Sequence, residues 1–345
     1  EFRRVLFRSM PMKTTKGLTR TVTRSGNSGI TRPGVSPAGD ALNAVLLIDK
    51  PEGKTSNETI RQVERTTGAC KIGHAGTLDR FASGLLVVCT GTATKLARYL
   101  LEDDKSYEGV VKLGVSTETD DTEGAVIEER PAAGVTGDAI LECARKFTGV
   151  QLQRPPRYSA LKIQGRRASD RARNGEQVDI PERTITVYEL AVGDIDPDGG
   201  RFTFRARCSK GTYIRSLARD MGRELGTGAH LERLRRTAAG HFQIGDAVTL
   251  EELEASMAGC PPAKRFLLKP VEALAGRGTV IVREAARKRI LNGAPFPAEE
   301  AVEIRDNGGK LFIILDESEN LIAIADMDIH KWHIKYLNVF NSVIQ

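Results

Sequence analysis

Residues 202–217 read FTFRARCSKGTYIRSL, a strand pattern that passes through a glycine turn directly into a helix pattern. Residues 202–208 alternate between apolar and polar side chains, as expected of a half-buried strand. Helical spacing follows in Ile214, Leu217, Met221 and Leu225. The predicted helix ends at Gly226 and has Tyr213 and Arg215 at its N-terminus, where backbone N–H groups attract anions. Arg215 can therefore pair with a carboxylate or a phosphate; the alternative is a solvated arginine beside a core tyrosine.

Strand and helix patterns flank this stretch on both sides. Apolar or alternating runs predict strands at residues 45–49, 84–89, 107–113 and 185–192. Helices are predicted at residues 92–101, at residues 138–147 and after the capping box formed by residues 55–58. Because strands and helices do not alternate in a strict βαβ order, the sequence predicts a mixed α+β fold rather than a doubly wound sheet.

A length of 345 residues predicts about two domains. Residues 41–268 form the predicted main domain, and residues 269–345 a small β-rich module. The module is predicted to contain a helix at residues 281–291, closed by Gly293. Its predicted strands are residues 312–315 and 321–324, joined by a turn, and residues 336–340.

The net charge of +6 lies entirely in the first 40 residues, which hold eight basic and two acidic side chains. This segment lacks an apolar period, which predicts disorder. Three origins are compatible with it: translated cloning sequence before a native start at Met10 or Met12, an Arg-rich transit peptide, or a basic arm that contacts RNA. We favour the first.

The composition narrows the function classes. The longest apolar runs, such as residues 311–315, are far shorter than the ~20 residues of a membrane span. Five cysteines without a Cys-x-x-Cys pair argue against a disulfide framework or a zinc ribbon, so we expect a cytoplasmic protein. His330 and His333 have the spacing of half a zinc site but lack nearby partners. No nucleotide-binding glycine motif is present.

Charge is segregated along the remaining chain. Residues 154–173 hold seven basic side chains, one acidic side chain and Tyr158, which fits either an RNA-binding surface or a solvated helix face. A smaller basic cluster is formed by Arg233, Arg235 and Arg236. Residues 118–129 hold six carboxylates without EF-hand spacing, which predicts a solvated hairpin face rather than a metal site.

Residues 73–79, GHAGTLD, place two glycines just before an aspartate. Glycines allow a tight loop, and an aspartate held on such a loop can act as a nucleophile or a general base. Spacing alone leaves open the alternative that Asp79 only caps a helix.

Six ordered motifs, which span about 200 residues, resemble the TruB family of pseudouridine synthases. They are LLIDKPEGKTS (46–56), GHAGTLD (73–79), KSY (105–107), PPRYSALK (155–162) with Gly165 and ARNG (172–175), CSKGTYIR (208–215) and GAHLERLRR (228–236). The resemblance implies a mixed, mostly antiparallel central sheet with flanking helices. It also implies that residues 269–345 form a PUA-like RNA-binding module.

The activity that the resemblance implies is isomerisation of uridine 55 in the T loop of tRNA to pseudouridine. It implies tRNA as the partner, a monomer, and neither a metal nor an organic cofactor. The target base must leave its stack to react. Two alternatives remain: the same chemistry on another RNA stem-loop, or a tRNA-binding or folding module without catalysis.

The resemblance also implies residue roles. Asp79 matches the essential aspartate of the family. Arg215 matches the arginine that pairs with this aspartate, and the ion pair would keep Asp79 deprotonated. Tyr107 matches the tyrosine that stacks on the base and assists proton removal at C5. Substrate contacts are implied for Tyr213, Leu234, His74 and Lys95. His74 would enter the T-loop stack when the base leaves; packing within its loop is the alternative.

The chain departs from the family pattern at four positions. Arg80 stands where proline is usual, Ser83 replaces a threonine, and Ala168 and Ser169 replace bulkier residues. Arg80 adjoins Asp79, so it would either contact a phosphate or compete with Arg215 for the carboxylate.

Overall fold

The computed structural model describes residues 42–159, 161–163, 165–176, 179–196, 198–260 and 266–344. The basic segment at residues 1–40, and the predictions made for it, lie outside the described residues. The α-helices are α1 (Ser56–Thr67), α2 (Ala97–Leu100), α3 (Gly137–Lys146), α4 (Ala168–Arg173), α5 (Ile214–Glu224), α6 (Leu250–Met257) and α7 (Glu284–Leu291). Among the described residues no helix is long and apolar enough to cross a membrane.

The described residues between 45 and 268 contain fourteen strands. They are β1 (Val45–Lys50), β2 (Ile72–His74), β3 (Ser83–Thr90), β4 (Lys105–Leu113), β5 (Val115–Thr117), β6 (Val126–Glu129), β7 (Gly149–Gln153), β8 (Lys162–Ile163), β9 (Arg166–Arg167), β10 (Arg183–Asp196), β11 (Arg201–Cys208), β12 (Ala229–Ala239), β13 (Phe242–Gln243) and β14 (Leu267–Leu268). Every strand predicted in this part of the chain is confirmed within a few residues. Strand β12 was not predicted, because Arg236 is buried and register shifts on either side of residues 233–236 break the alternation.

Ten of these strands form one sheet with the order β14-β1-β3-β12-β4-β11-β10-β7, extended by β2 on β3 and β13 on β12. Neighbouring strands run antiparallel except β3 and β12, which run parallel. The predicted mixed, mostly antiparallel sheet is therefore confirmed. Its register sets Tyr107 of β4 beside Arg236 of β12, next to the parallel pair.

Two groups of helices pack against this sheet. Helices α3 and α5 bury an apolar cluster against β4, β11 and β12, in which Phe202 and Leu217 are almost fully buried. Helix α1 begins at the predicted capping box: the Thr55 hydroxyl accepts from the Glu58 N–H and the Glu58 carboxylate accepts from the Thr55 N–H. Its Val63 packs with α6 against β1 and β3. The packing fixes both α1 and α5 relative to the sheet centre.

A second sheet has the order β16-β15-β17-β18-β19. Its strands are β15 (Gly278–Val282), β16 (Ala301–Arg305), β17 (Leu311–Asp316), β18 (Leu321–Asp328) and β19 (His333–Ile344). The hairpin and the last strand agree with the prediction, but the helix predicted at residues 281–291 begins only at Glu284. Ile281 belongs to a strand because the β-branched run Val280–Val282 favours extended structure.

Side chains tie the two sheets together within one compact unit. The Tyr99 hydroxyl donates to Asn338 Oδ1 at 2.5 Å, and Arg277 pairs with Asp103 at 3.0 Å. Tyr99 follows a 3-10 helix at Gly91–Leu96 that leads into α2, in the place of the helix predicted at residues 92–101. The last strand of the first sheet ends at Leu268, and the domain boundary placed there by the sequence stays a prediction.

Candidate active site

Asp79 lies on the loop between β2 and β3, and neighbouring elements hold this loop in place. The buried Ser56 hydroxyl, at the start of α1, accepts from the Leu78 N–H at 2.8 Å and donates to the Leu78 carbonyl at 3.0 Å. Gly76 has φ +115°, a conformation that favours glycine. No helix follows Asp79 on this loop, all of whose residues are described, so the helix-cap interpretation is wrong. The role of Asp79 as nucleophile or base stays a prediction.

Arg215, in the first turn of α5, reaches Asp79. The guanidinium is 4% exposed, and its Nε lies 2.9 Å from Asp79 Oδ2. Its Nη1 lies 3.3 Å from Asp121 Oδ2. Both ends of the guanidinium also donate to backbone carbonyls, to Thr119 at 2.8 Å and to Tyr158 at 3.0 Å. Arg215 is thus a fixed, buried cation shared by two carboxylates.

The acidic stretch at residues 118–129 was predicted to be a solvated hairpin face, and this is wrong for two of its members. Asp121 is 2% exposed and pairs with Arg215, whereas Asp120 pairs with Arg219 at 3.0 Å. Arg215 and Arg219 are four residues apart, so they project from one face of α5 onto this loop. Adjacent aspartates facing an i, i+4 pair of arginines are the signal that sequence reasoning missed.

A pocket of about 280 Å³ opens beside this ion pair. Its lining includes five of the predicted site residues: Asp79, Tyr107, Tyr213, Arg215 and Leu234. Tyr213 is fixed through its backbone, which exchanges two hydrogen bonds with the Gln153 amide. The structure therefore gathers side chains from four separate elements around one cavity with an apolar wall and a carboxylate at its edge.

Arg236 completes the floor of this pocket and was not predicted there. It is 1% exposed, and it donates from Nε to the Leu85 carbonyl at 2.7 Å and from Nη2 to the Gly76 carbonyl at 3.1 Å. Its charge also acts on the Tyr107 hydroxyl and opposes the rise in the pKa of that group. Gly84 allows the approach, since a Cβ there would lie 2.3 Å from the Arg236 carbonyl oxygen.

The predicted basic cluster at residues 233–236 is consequently not one surface. Arg236 is buried, and Arg235 pairs with Asp49 at 2.6 Å. Arg233 alone of the three is exposed. The strand geometry of β12 separates side chains that are adjacent in sequence.

Burial changes the acid–base properties of the site. Desolvation raises the pKa of Asp79; Arg215 opposes this shift and Asp121 adds to it. Burial and Asp121 therefore oppose the expected effect of Arg215, which is to keep Asp79 deprotonated. Desolvation also raises the pKa of Tyr107, against the opposing charge of Arg236. Desolvation, with the charge of Arg236, lowers the pKa of His74, so its imidazole is neutral at neutral pH.

A polar groove of about 690 Å³ adjoins the pocket at Asp79 and Arg215. His74 and Arg80 line it. Arg80 does not compete for the Asp79 carboxylate: it pairs with Glu58 at 3.2 Å and donates to the Gly53 carbonyl at 3.0 Å. Arg80, which departs from the family pattern, therefore pairs with α1, and Asp79 pairs with Arg215.

Lys95 is the one predicted site residue that lies elsewhere. Its ammonium lies 5.2 Å from the centre of the Phe340 ring, on the second sheet, and Lys95 lines neither the pocket nor the groove. The turns of the 3-10 helix direct Ala93 and Leu96 into the core and leave Lys95 exposed. The substrate contact implied for Lys95 stays a prediction, and it would be made outside the pocket.

The basic stretch at residues 154–173 carries its own counter-charges. Arg171 pairs with Glu176 at 2.7 Å and Arg166 with the same carboxylate group at 3.2 Å. Arg173 lies 3.9 Å from Asp170, and both line the polar groove. The stretch therefore borders the candidate site, with fewer unpaired charges than its sequence suggests.

Two family models match adjacent parts of the chain. The model described as TruB family pseudouridylate synthase (N terminal domain) matches residues 64–214, and the model described as tRNA pseudouridylate synthase B C-terminal domain matches residues 215–275. Fold, site and models together define a protein of the pseudouridylate synthase class. Within that class the chain belongs to the TruB family, which confirms the resemblance seen in the sequence.

Comparison with individual relatives supports the same family. The chain is 40% identical to a tRNA pseudouridine synthase B of Cupriavidus metallidurans, over 87% of this chain and 95% of the relative. It is 48% identical to the enzyme of that name from an Azoarcus species, over 68% of this chain and 76% of the relative. A solved Cbf5-Nop10-Gar1 complex contains a chain that matches with a TM-score of 0.69 and 26% identity, over 88% of this chain and 85% of that one.

Proposed function

We propose that this protein isomerises a uridine of tRNA to pseudouridine, at position 55 of the T loop, with Asp79 as the catalytic carboxylate. One observation carries the proposal: Asp79 stands at the edge of a pocket, paired with the buried Arg215, in a cavity that Tyr107 also lines. The name tRNA pseudouridine synthase B, shared by the relatives, supports tRNA as the substrate. Position 55 rests on the TruB resemblance.

The reaction conserves every atom of the nucleotide. The N1–C1′ bond breaks, a C5–C1′ bond forms, C5 loses a proton and N1 gains one, so no oxidant or reductant is required. A carboxylate that acts as nucleophile or base near C1′ and the uracil ring is needed, and Asp79 fills this role. Tyr107 lies in the same pocket, where its ring stacks on the base and its hydroxyl assists removal of the C5 proton.

Access to Asp79 requires that the target base leaves its stack, at a cost of a few kcal/mol. The Tyr213 ring and Leu234 supply apolar surface for the displaced base. His74, uncharged at neutral pH, lines the groove that leads to Asp79 and is placed to take the vacated position in the T-loop stack.

The direct test uses T stem-loop RNA labelled with tritium at C5 of uridine. Asp79→Asn and Asp79→Ala should abolish tritium release, since neither side chain can act as nucleophile or base, and both variants should still bind the RNA. Asp138→Asn, on the exposed first turn of α3, is the matched control and should keep wild-type turnover. Substantial tritium release by Asp79→Asn would remove Asp79 from the mechanism.

The target position is tested by mapping pseudouridine in total RNA from a strain that lacks this gene. Loss of pseudouridine at position 55 of tRNAs, and at no other site, is expected. Loss in a different RNA stem-loop would keep the chemistry and change the substrate. Unchanged modification together with retained tRNA binding would instead indicate a binding module without catalysis.

A further inference from the structure

Ser159 lies between the pocket and the groove, and its hydroxyl is unpartnered within the part of the chain that the structure describes. Ser159 is 3% exposed, and its Oγ has no hydrogen-bond partner among the described residues of the chain. Buried polar side chains are nearly always hydrogen-bonded in folded proteins. The exception here lines both the pocket and the groove, which points to a partner that arrives with the substrate.

The backbone around Ser159 is held firmly, so its hydroxyl has a defined position. The Ser159 carbonyl accepts from the Ser169 N–H at 3.0 Å. The preceding carbonyl, of Tyr158, accepts from Arg215 Nη2 at 3.0 Å. Ser159 is therefore anchored to the same guanidinium that holds Asp79.

The two cavities meet at a small set of shared residues, which are Thr77, Leu78, Asp79, Ser159 and Arg215. The smaller pocket accommodates the displaced base, and the open polar groove suits the polynucleotide chain. In a nucleotide the ribose joins these two parts, so it occupies the junction. The reacting atom C1′ belongs to the ribose, and Asp79 at the junction agrees with this placement.

We infer that the Ser159 hydroxyl hydrogen-bonds the ribose 2′-hydroxyl of the target nucleotide. The inference rests on the proposed function and adds to it a group that distinguishes RNA from DNA at the reacting residue. A 2′-hydroxyl both donates and accepts, which suits the serine hydroxyl, and it is the atom group by which proteins separate the two nucleic acids.

The test is a thermodynamic cycle of RNA binding. T stem-loops that carry uridine or 2′-deoxyuridine at the target position are titrated with Asp79→Asn and with Asp79→Asn/Ser159→Ala, since the Asp79→Asn background keeps the uridine unconverted. Ser159→Ala should weaken binding of the uridine RNA about five- to tenfold, the usual worth of one hydrogen bond, and leave binding of the deoxyuridine RNA unchanged. Ser256→Ala, on α6, is the control and should change neither.

A stability measurement separates this role from a structural one. Since the hydroxyl has no partner among the described residues, Ser159→Ala in the otherwise wild-type chain should not lower the melting temperature. Equal losses of affinity on both RNAs, no loss on either, or a clearly lowered melting temperature would overturn the assignment. Failure of the wild-type protein to release tritium from the uridine RNA would instead count against the proposed function itself.

Discussion

The two sides of the pocket each present a buried arginine, and the partners of these arginines differ. On one side Arg215 pairs with two carboxylates, those of Asp79 and Asp121. On the other side Arg236 donates to two backbone carbonyls and lies opposite Tyr107 in the neighbouring strand. The first arrangement controls the charge on Asp79, the proposed catalytic carboxylate, whereas the second controls the position of a loop and a tyrosine. Burial of an arginine therefore does not define its role; its partners do.

The largest effect is expected from Arg215→Met. The substitution leaves Asp121 buried beside Asp79 without a cation, which should lower the free energy of unfolding by about 3 kcal/mol. It should also lower turnover about 100- to 1,000-fold, because a positioned charge next to the proposed catalytic carboxylate is lost. Chemical denaturation and single-turnover tritium release measure the two quantities.

Arg219→Met provides the matched control for that prediction. Arg219 lies on the same face of α5 and pairs with Asp120 and Asp220, but not with Asp79. We expect a comparable loss of stability and a much smaller loss of turnover. Equal losses of turnover in the two variants would mean that α5 as a whole, rather than Arg215, supports catalysis.

A somewhat smaller effect on turnover is expected from Arg236→Met, which leaves the carbonyls of Leu85 and Gly76 without their donor. Each unpaired carbonyl costs about 1–3 kcal/mol, so the free energy of unfolding should fall by about 2–6 kcal/mol. Turnover at saturating RNA should fall about tenfold, through misplacement of Tyr107 and the Asp79 loop. Arg236→Lys keeps the charge without the planar fork, so it should recover only part of both losses.

Arg236 acts electrostatically on the Tyr107 hydroxyl. If Tyr107→Phe and Arg236→Met act through this interaction, the double variant should be no slower than the slower single variant. Turnover measured for all three variants tests this. Losses that multiply would separate Arg236 from Tyr107 and assign the arginine to the loop alone.

The smallest effect is expected from Lys95→Ala. Lys95 lies over Phe340 and outside the pocket, so turnover at saturating RNA should stay unchanged. Any loss should be confined to affinity, with a salt dependence reduced by about one unit if the ammonium contacts a phosphate. A lower maximal rate would mean that Lys95 takes part in the reaction itself.

The sequence predicted the periodic parts of the molecule well. The alternation in β11, the spacing in α5 and the capping box of α1 are local patterns, and each element formed where its pattern placed it. The helix predicted at residues 281–291 was too long, because the sequence alone does not show that Ile281 pairs with neighbouring strands. Strand β12 was missed because its buried arginine resembles a surface residue.

Site residues within sequence motifs were predicted, whereas site residues brought together only by the fold were not. Asp79, Tyr107, Tyr213, Arg215 and Leu234 were all selected from motifs, and they share one pocket. Burial of Asp121 was not foreseen, since a run of carboxylates looks solvated until its arginine partners on α5 are placed. Partners that lie far apart in sequence are joined only by the sheet register and the helix packing.

The ionisation of Asp79, which we attribute to Arg215 and Asp121, can be followed through the pH dependence of single-turnover tritium release. Desolvation and Asp121 raise the pKa of Asp79, so the wild-type rate should fall on acidification at a higher pH than an ordinary aspartate would give. Asp121→Asn removes a raising charge, so it should move this acid limb to lower pH, whereas Arg236→Lys should leave it in place. If the acid limb of Asp121→Asn is unchanged, or lies at higher pH, Asp121 does not raise the pKa of Asp79.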